Sequence, residues 1–173
     1  QHVRMNINHL GEAVLGEAEA AKRLDTYLAD MQDPEIEVIS VKISTIYSQI
    51  SSLAIEHSVD VLVDRLSTLY RAAKSNFFVR SDGSRVPKLV NLDMEEYRDM
   101  TITAEAFMRT LDRSGLANVS AGLALQSYVP DAFRVQQTIN HWARGRVAQG
   151  GAPITLRIVK GAIETAQKPL LPG

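Results

Sequence analysis

Four short runs of aliphatic and β-branched residues, separated by long amphipathic stretches, limit most strongly what this sequence can fold into. The runs are VISVKIS from Val38, KLVNLDM from Lys88, VSAGLALQSYV from Val119 and ITLRIVKGA from Ile154. Each has the length of a strand and is apolar on both faces, which is typical of strands buried between two layers. Because helix-type segments lie between the runs, the pattern predicts βα units and a mostly parallel sheet covered by helices.

The stretches between these runs have the composition and period of helices. FFVRSDGSRVPK, from Phe77, instead has two β-like pieces around Asp82-Gly83 and predicts a small hairpin or loop excursion. On the last helix, Trp142 is expected to pack against the sheet, and Arg144 and Arg146 are expected to form a solvated helix end. The predicted helices run from Gly11 to Met31, from His57 to Ser75, from Glu95 to the Ser114-Gly115 stop, and from an N-capping Asp131 to Ala148.

Composition excludes several classes of function. The 173 residues include 19 Lys and Arg against 20 Asp and Glu, so no basic excess favours nucleic-acid binding. The absence of cysteine removes disulfide scaffolds, thiol nucleophiles and Cys-ligated metal sites. No apolar run reaches the ~20 residues of a membrane helix. No metal site is predicted, because the four histidines are scattered and each is expected at the surface or in helix packing.

Polar residues near the carboxyl ends of the runs distinguish between two parallel architectures. A (βα)8 barrel and an open doubly wound sheet both fit the order of elements. Lys42, Asp93, Gln126, Arg157 and Lys160 stand at the same end of four different strands, where a buried charge is costly unless it is paired or used. Barrel enzymes build their sites on this face, whereas doubly wound sheets usually carry a Gly-rich phosphate loop that is missing here. The barrel is favoured.

The chemistry open to these residues is limited. Lys42 can bind a carboxylate or, with a lowered pKa, form a Schiff base. Asp93 can hold an ammonium, Gln126 can read the edge of a heterocycle, and Arg157 can stabilise negative charge on a cofactor ring. Plainer interpretations stay open: an edge-strand lysine for Lys42, a helix cap for Asp93, a core amide for Gln126 and a salt bridge for Arg157.

The motifs VISVKIS, VNLDMEEY, LALQSYVPD and ITLRIVKGA, preceded by NHLGEA, together resemble the proline dehydrogenase domain of bifunctional proline utilization A flavoproteins. The resemblance extends from about Asn8 to Ala162, and Asn8 and His9 replace the Asp and Met of some relatives. It implies a (βα)8 barrel that holds FAD and oxidises L-proline to Δ1-pyrroline-5-carboxylate. It also implies a cytoplasmic protein, or one peripheral at the inner face of the membrane. A membrane quinone would accept the electrons, and an aldehyde dehydrogenase domain would lie in the same parent chain.

Carried over by position, the resemblance assigns roles to individual residues. Lys42 and Asp93 would bind the substrate and, with Arg157, form the catalytic set. Ile158 would line the proline ring, and Glu12 would pair with a substrate-binding arginine as a gate. The residues expected to contact the cofactor are Gln126, Arg157, Val159, Lys160, Gly161 and Ala162.

The length of the chain sets a further expectation. A complete barrel takes roughly 250 residues, so these 173 residues are expected to supply about its first five βα units. The whole of 1–173 is then one incomplete barrel domain, in which 163–173 reads as an atypical tail or linker. Two alternative functions remain at this point: a Schiff-base lyase of the aldolase type, with Lys42 or Lys160 as the amine, and a non-catalytic truncated barrel.

Overall fold

The computed structural model describes residues 5–9, 13–94 and 96–160. They form a five-stranded parallel sheet, a two-stranded antiparallel hairpin and the helices that connect them. The elements are β1 (Asn6–Asn8), α1 (Glu17–Gln32), β2 (Val38–Lys42), α2 (Ile43–Ile46), α3 (Ile55–Ser75), β3 (Phe77–Val79), β4 (Arg85–Pro87), β5 (Leu89–Asp93), a 3-10 turn (Tyr97–Asp99), α4 (Met100–Leu111), β6 (Ala121–Gln126), α5 (Ala132–Ala148) and β7 (Ile154–Val159).

The main sheet has the strand order β1-β2-β5-β6-β7, and every neighbouring pair is parallel. At least one helix separates each strand from the next one in the sheet, which confirms the predicted βα units. The hairpin β3-β4 confirms the predicted excursion around Asp82-Gly83. Within the described residues, β1 and β7 each pair on one side only, so these strands form an open sheet.

The core lies between one face of this sheet and the helices. Successive side chains of a strand alternate between the two faces, and on β2, β5 and β6 one set of alternate residues is wholly aliphatic. These side chains are fully buried against the apolar stripes of α1, α3 and α4, and each contributes about 1.5–3 kcal/mol relative to exposure. The sheet contributes Ile39, Val41, Val90, Leu92, Leu123 and Leu125 to this core, and the helices contribute Tyr27, Leu62, Leu66, Phe107 and Leu111.

Several element boundaries differ from the sequence prediction. The strand predicted to reach Ser44 ends at Lys42, because the Thr45 hydroxyl donates to the Lys42 carbonyl at 2.8 Å and closes a helical turn. The helix predicted from Glu95 begins at Met100, after the 3-10 turn. The first helix begins at Glu17, preceded by an extended Gly16.

The predicted caps differ as well. Asp131 occupies the N-cap position of α5, but its side chain makes no capping hydrogen bond. Its carboxylate accepts instead from the Tyr97 hydroxyl at 2.5 Å. Asp93 does not cap a helix, since it is the last residue of β5 and α4 begins at Met100.

Arg146 contradicts the prediction of a solvated helix end. Its relative exposure is 7%, whereas Arg144 is exposed as predicted. The Arg146 guanidinium donates to five backbone carbonyls, one at the end of α4 and four in the segments that precede β6 and β7, so it ties the amino ends of these two strands to α5. Gly151 permits the approach, because a Cβ there would lie 2.7 Å from Arg146 Cγ. The acceptors are the carbonyls of Leu111, Leu116, Ala117, Val119 and Ala152.

Trp142 has a structural role, as predicted, but the contacts of its ring are with helix α4, whereas the sequence predicted packing against the sheet. Its ring meets Phe107 of α4 edge to face, with 5.9 Å between the centroids. The indole N–H donates to both carboxylate oxygens of Asp112, at 2.9 and 3.0 Å. The residue therefore joins α4 to α5 on the outer side of the sheet.

Candidate active site

Four of the polar residues predicted at the strand ends share the face of the sheet that the helices do not cover. Lys42 of β2 is in register with Asp93 of β5. Arg157 of β7 is in register with Ala124 of β6. Since β5 and β6 are also neighbours, the three charged residues lie in one row across four strands. The parallel sheet, with all carboxyl ends at one edge, is what brings these sequence-distant side chains together.

Asp93 and Arg157 face each other across β6. The distance from Arg157 Nη1 to Asp93 Oδ1 is 3.7 Å, and the small Ala124 stands between them in the row. The Arg157 side chain is 41% exposed and that of Asp93 is 18% exposed. Asp93 Oδ1 is buried and has no hydrogen-bond partner among the described residues. A buried carboxylate oxygen without a donor can accept a hydrogen bond from a cationic ligand.

Gln126 lies on the same face, one pleat further toward the carboxyl edge. It is in register with Val159, and its Nε2 donates to the backbone carbonyl of Met94 at 3.1 Å. This bond joins the end of β6 to the residue after Asp93. The hydrogen bond of the Gln126 side-chain nitrogen therefore fits the plainer interpretation, in which the backbone satisfies this amide.

Lys42 stands where β2 turns into α2. The Lys42 carbonyl is held by Thr45, and the Thr45 hydroxyl in turn lies 3.2 Å from the Tyr27 hydroxyl. The side chain of Lys42 is half-buried, on the face it shares with Asp93. Contacts with the helices therefore hold the backbone of Lys42, while its side chain lies on the face that carries Asp93 and Arg157.

The remaining predicted residues do not all join this row. Ile158 lies on the other face of β7 and is 50% exposed. Val159 is on the same face as Arg157, and its carbonyl accepts from Ser127 N at 2.8 Å. Lys160 follows the end of β7 and is exposed. The predictions for Glu12, Gly161 and Ala162 fall outside the described residues.

Sequence reasoning missed a second polar row directly below the first. Ser40 and Asn91 are in register, each two residues before a residue of the charged row, and they are 1% and 5% exposed. Asn91 extends over Gly122, where a Cβ would lie 1.8 Å from Asn91 Oδ1, and this oxygen has no partner among the described residues. The spacing of two residues in VISVK and VNLD is the signal that would have found this row.

In the part of the chain that the structure describes, no group of three His, Asp or Glu side chains is arranged to hold a metal ion. No helix in those residues combines the length and the apolar character needed to cross a membrane.

This architecture defines a class of protein. A parallel βα sheet with charged and amide side chains at its carboxyl edge is an arrangement found in TIM-type barrel enzymes. The sequence matches the proline dehydrogenase family over residues 1–166. The chain belongs to the proline dehydrogenase family, and so to a family of oxidoreductases.

Solved structures of proline utilization A proteins are similar to this chain. The protein from Corynebacterium freiburgense is 38% identical with a TM-score of 0.82, over 92% of this chain and 16% of that chain. The Bdellovibrio bacteriovorus protein, inactivated by N-propargylglycine, is 27% identical with a TM-score of 0.73, over 91% and 17%. A Bradyrhizobium japonicum mutant protein, 23% identical with a TM-score of 0.75 over 93% and 16%, supports the fold alone.

These matches confirm the predicted fold class, a TIM-type barrel, although the strands described here do not close. The chain spans 16–17% of the length of these solved proteins. No curated protein sequence matches the chain.

Proposed function

We propose that this chain supplies the first βα units of a proline dehydrogenase that oxidises L-proline to Δ1-pyrroline-5-carboxylate. In this reaction the ring carbon next to nitrogen loses a hydride and the nitrogen loses a proton, which leaves a C=N bond. The observation that carries the proposal is the row of Lys42, Asp93 and Arg157 on one open face of the sheet. Membership of the proline dehydrogenase family supports it.

FAD is the proposed cofactor, and when bound it supplies the hydride acceptor at flavin N5. The donor set of the described residues fits such a group. Arg157 is a permanent cation whose side chain is 41% exposed on the open face, so it can approach a ring that gains negative charge. Gln126 adds an amide one pleat away. The other proposed contacts are Val159, Lys160, Gly161 and Ala162.

The proposed substrate contacts use the other half of the row. Lys42 binds the carboxylate of proline as a point charge. Asp93, whose buried Oδ1 has no donor among the described residues, accepts from the cationic ring nitrogen. With the carboxylate and the ring nitrogen held by opposite charges, the ring carbon on the far side of the nitrogen, which loses the hydride, is oriented toward the cofactor. Glu12 completes the proposed substrate set as a gate, whereas the prediction of Ile158 as a pocket wall does not fit its place on the other face of β7 from the row.

The remaining partners are proposals drawn from the family. Because the chain covers 16% of a solved proline utilization A protein, we place it in a longer parent that also carries an aldehyde dehydrogenase domain. A membrane quinone takes the electrons, with the protein in the cytoplasm or peripheral at the inner face of the membrane.

The test uses the full-length protein in which this sequence occurs. It is expected to purify yellow and to lose its flavin absorbance when proline is added without oxygen. Lys42→Met is expected to keep the flavin and raise the KM for proline, whereas Arg157→Met is expected to lower the flavin content.

A colourless protein, or one that proline does not reduce, refutes the proposal. So does trapping of Lys42 or Lys160 by borohydride with a carbonyl substrate in a flavin-free protein, since that outcome identifies a Schiff-base lyase.

A further inference from the structure

The turn that follows Lys42 is too short to be stable alone. Helix α2 spans only Ile43–Ile46, and a single helical turn gains too few hydrogen bonds to offset the cost of nucleation. Its conformation must therefore be imposed by other parts of the chain. Whatever holds this turn also fixes the carboxyl end of β2, where Lys42 stands.

Glu17 and Arg65 hold the turn from its far end. Glu17 Oε1 accepts from both the backbone nitrogen and the hydroxyl of Ser48, at 3.0 and 2.6 Å. Glu17 Oε2 accepts from Arg65 Nη2 at 2.5 Å. The other guanidinium nitrogen, Nη1, donates to the Ile46 carbonyl, and the guanidinium carbon lies 5.1 Å from the centre of the Tyr47 ring. We name this arrangement the Glu17–Arg65 clasp.

The near end of the turn has its own attachments. Val14 N donates to the Ser44 carbonyl at 3.2 Å, and the Thr45 hydroxyl joins the Lys42 carbonyl to Tyr27. With the clasp, five consecutive residues from Ser44 to Ser48 are each contacted by α1, α3 or the segment before α1. The turn is thus built into the helical layer, and Lys42 is the junction between that layer and the open face.

The clasp is not needed to bring α1 and α3 together. These helices already meet through fully buried apolar side chains, among them Tyr27, Leu62 and Leu66. The polar partners of Glu17 and Arg65 are instead atoms of the turn itself. Arg65 is 23% exposed and Glu17 is 39% exposed, so the ion pair is only partly screened by water.

We propose that Glu17 and Arg65 are positioning residues for Lys42. They hold the end of β2 in the position from which the Lys42 ammonium contacts the carboxylate of the substrate. The inference rests on the proposed role of Lys42. The clasp touches neither substrate nor cofactor; it acts through the backbone from Ser48 back to Lys42.

The test compares two clasp variants with a control in the full-length protein. Glu17→Gln keeps an acceptor for Ser48 but loses the charge that orients Arg65, and Arg65→Lys keeps the charge but loses the planar fork that reaches Glu17 and Ile46 at once. Both are expected to raise the KM for proline about five- to twentyfold, with kcat changed less than about twofold, because charge-assisted hydrogen bonds to the turn are lost. Flavin content is expected to stay unchanged.

Glu56→Gln is the matched control, because Glu56 accepts a comparable bond from Arg109 at 2.8 Å between α3 and α4 and makes none of the clasp contacts. Its KM is expected to stay at the wild-type value. Unchanged KM values in both clasp variants, or the same rise in the control, overturn the inference.

A second measurement does not depend on turnover. Amide hydrogen exchange at Ser48 and its neighbours in 44–48 is expected to accelerate in Glu17→Gln and not in Glu56→Gln. Unchanged exchange also overturns the inference. A wild-type protein that proline cannot reduce refutes the proposed function instead, so the two failures are separate results.

Discussion

Replacing Arg146 by methionine is expected to be the most damaging substitution of a charged residue on the outer helices. Methionine keeps much of the aliphatic stem but removes five hydrogen bonds to backbone carbonyls. At ~1 kcal/mol net for each bond the sum is about 5 kcal/mol. Three of the bonds share one nitrogen, and removing the buried guanidinium also removes its desolvation cost, so we expect a loss of about 3 kcal/mol.

Thermal unfolding followed by far-ultraviolet circular dichroism measures this loss. For a domain of this size ~1 kcal/mol corresponds to roughly 2–4 °C in Tm, so Arg146→Met is expected to lower Tm by about 6–12 °C. Arg144→Met, two residues away on the exposed side of α5, is the control and is expected to change Tm by less than about 2 °C. Equal shifts for the two variants would show that the carbonyl contacts of Arg146 add no stability.

Two further predictions concern the sheet and the clasp. Gly122→Ala is expected to lower the free energy of unfolding in urea by about 2 kcal/mol, because the new Cβ would lie 1.8 Å from Asn91 Oδ1. Adding Asn91→Ala should recover part of this loss. Strict additivity of the two changes in the free energy of unfolding would contradict the contact. The Ser48 hydroxyl and then Arg65 lower the pKa of Glu17 from 4.5 to about 2. The stability gained from this ionised carboxylate, about 1 kcal/mol after screening, is present above pH ~4.5 and is lost as the pH falls toward 2. Acid titration of unfolding should therefore be less steep over that interval in Glu17→Gln, and identical curves would contradict the shift.

The order of elements could be read from the sequence because it depends on hydrophobic period and strand length. The boundaries could not, since local side chains decide them. Thr45 ends β2 by bonding to the Lys42 carbonyl. Nothing in the sequence shows that this hydroxyl will bond to that carbonyl.

The charged row of the candidate site was also within reach of the sequence, because polar residues inside apolar strands stand out. The burial of Arg146 could not be predicted, because the sequence around an arginine near a helix end is the same whether its side chain is solvated or bonded to backbone carbonyls. Its burial depends on Gly151, which lies beyond α5 and leaves room for the guanidinium stem. The clasp joins residues 48 positions apart, a separation over which spacing carries no information.

The outer edge of β7 has a consequence for the protein while it is being made. In the described residues this strand pairs with β6 alone, so until a neighbour covers its other side it can template pairing with any extended chain. Charged side chains on an edge strand oppose such aggregation. Arg157 within β7 and the exposed Lys160 directly after it supply two positive charges there. The residues proposed to contact the cofactor in the finished enzyme would thus also act as gatekeepers during synthesis.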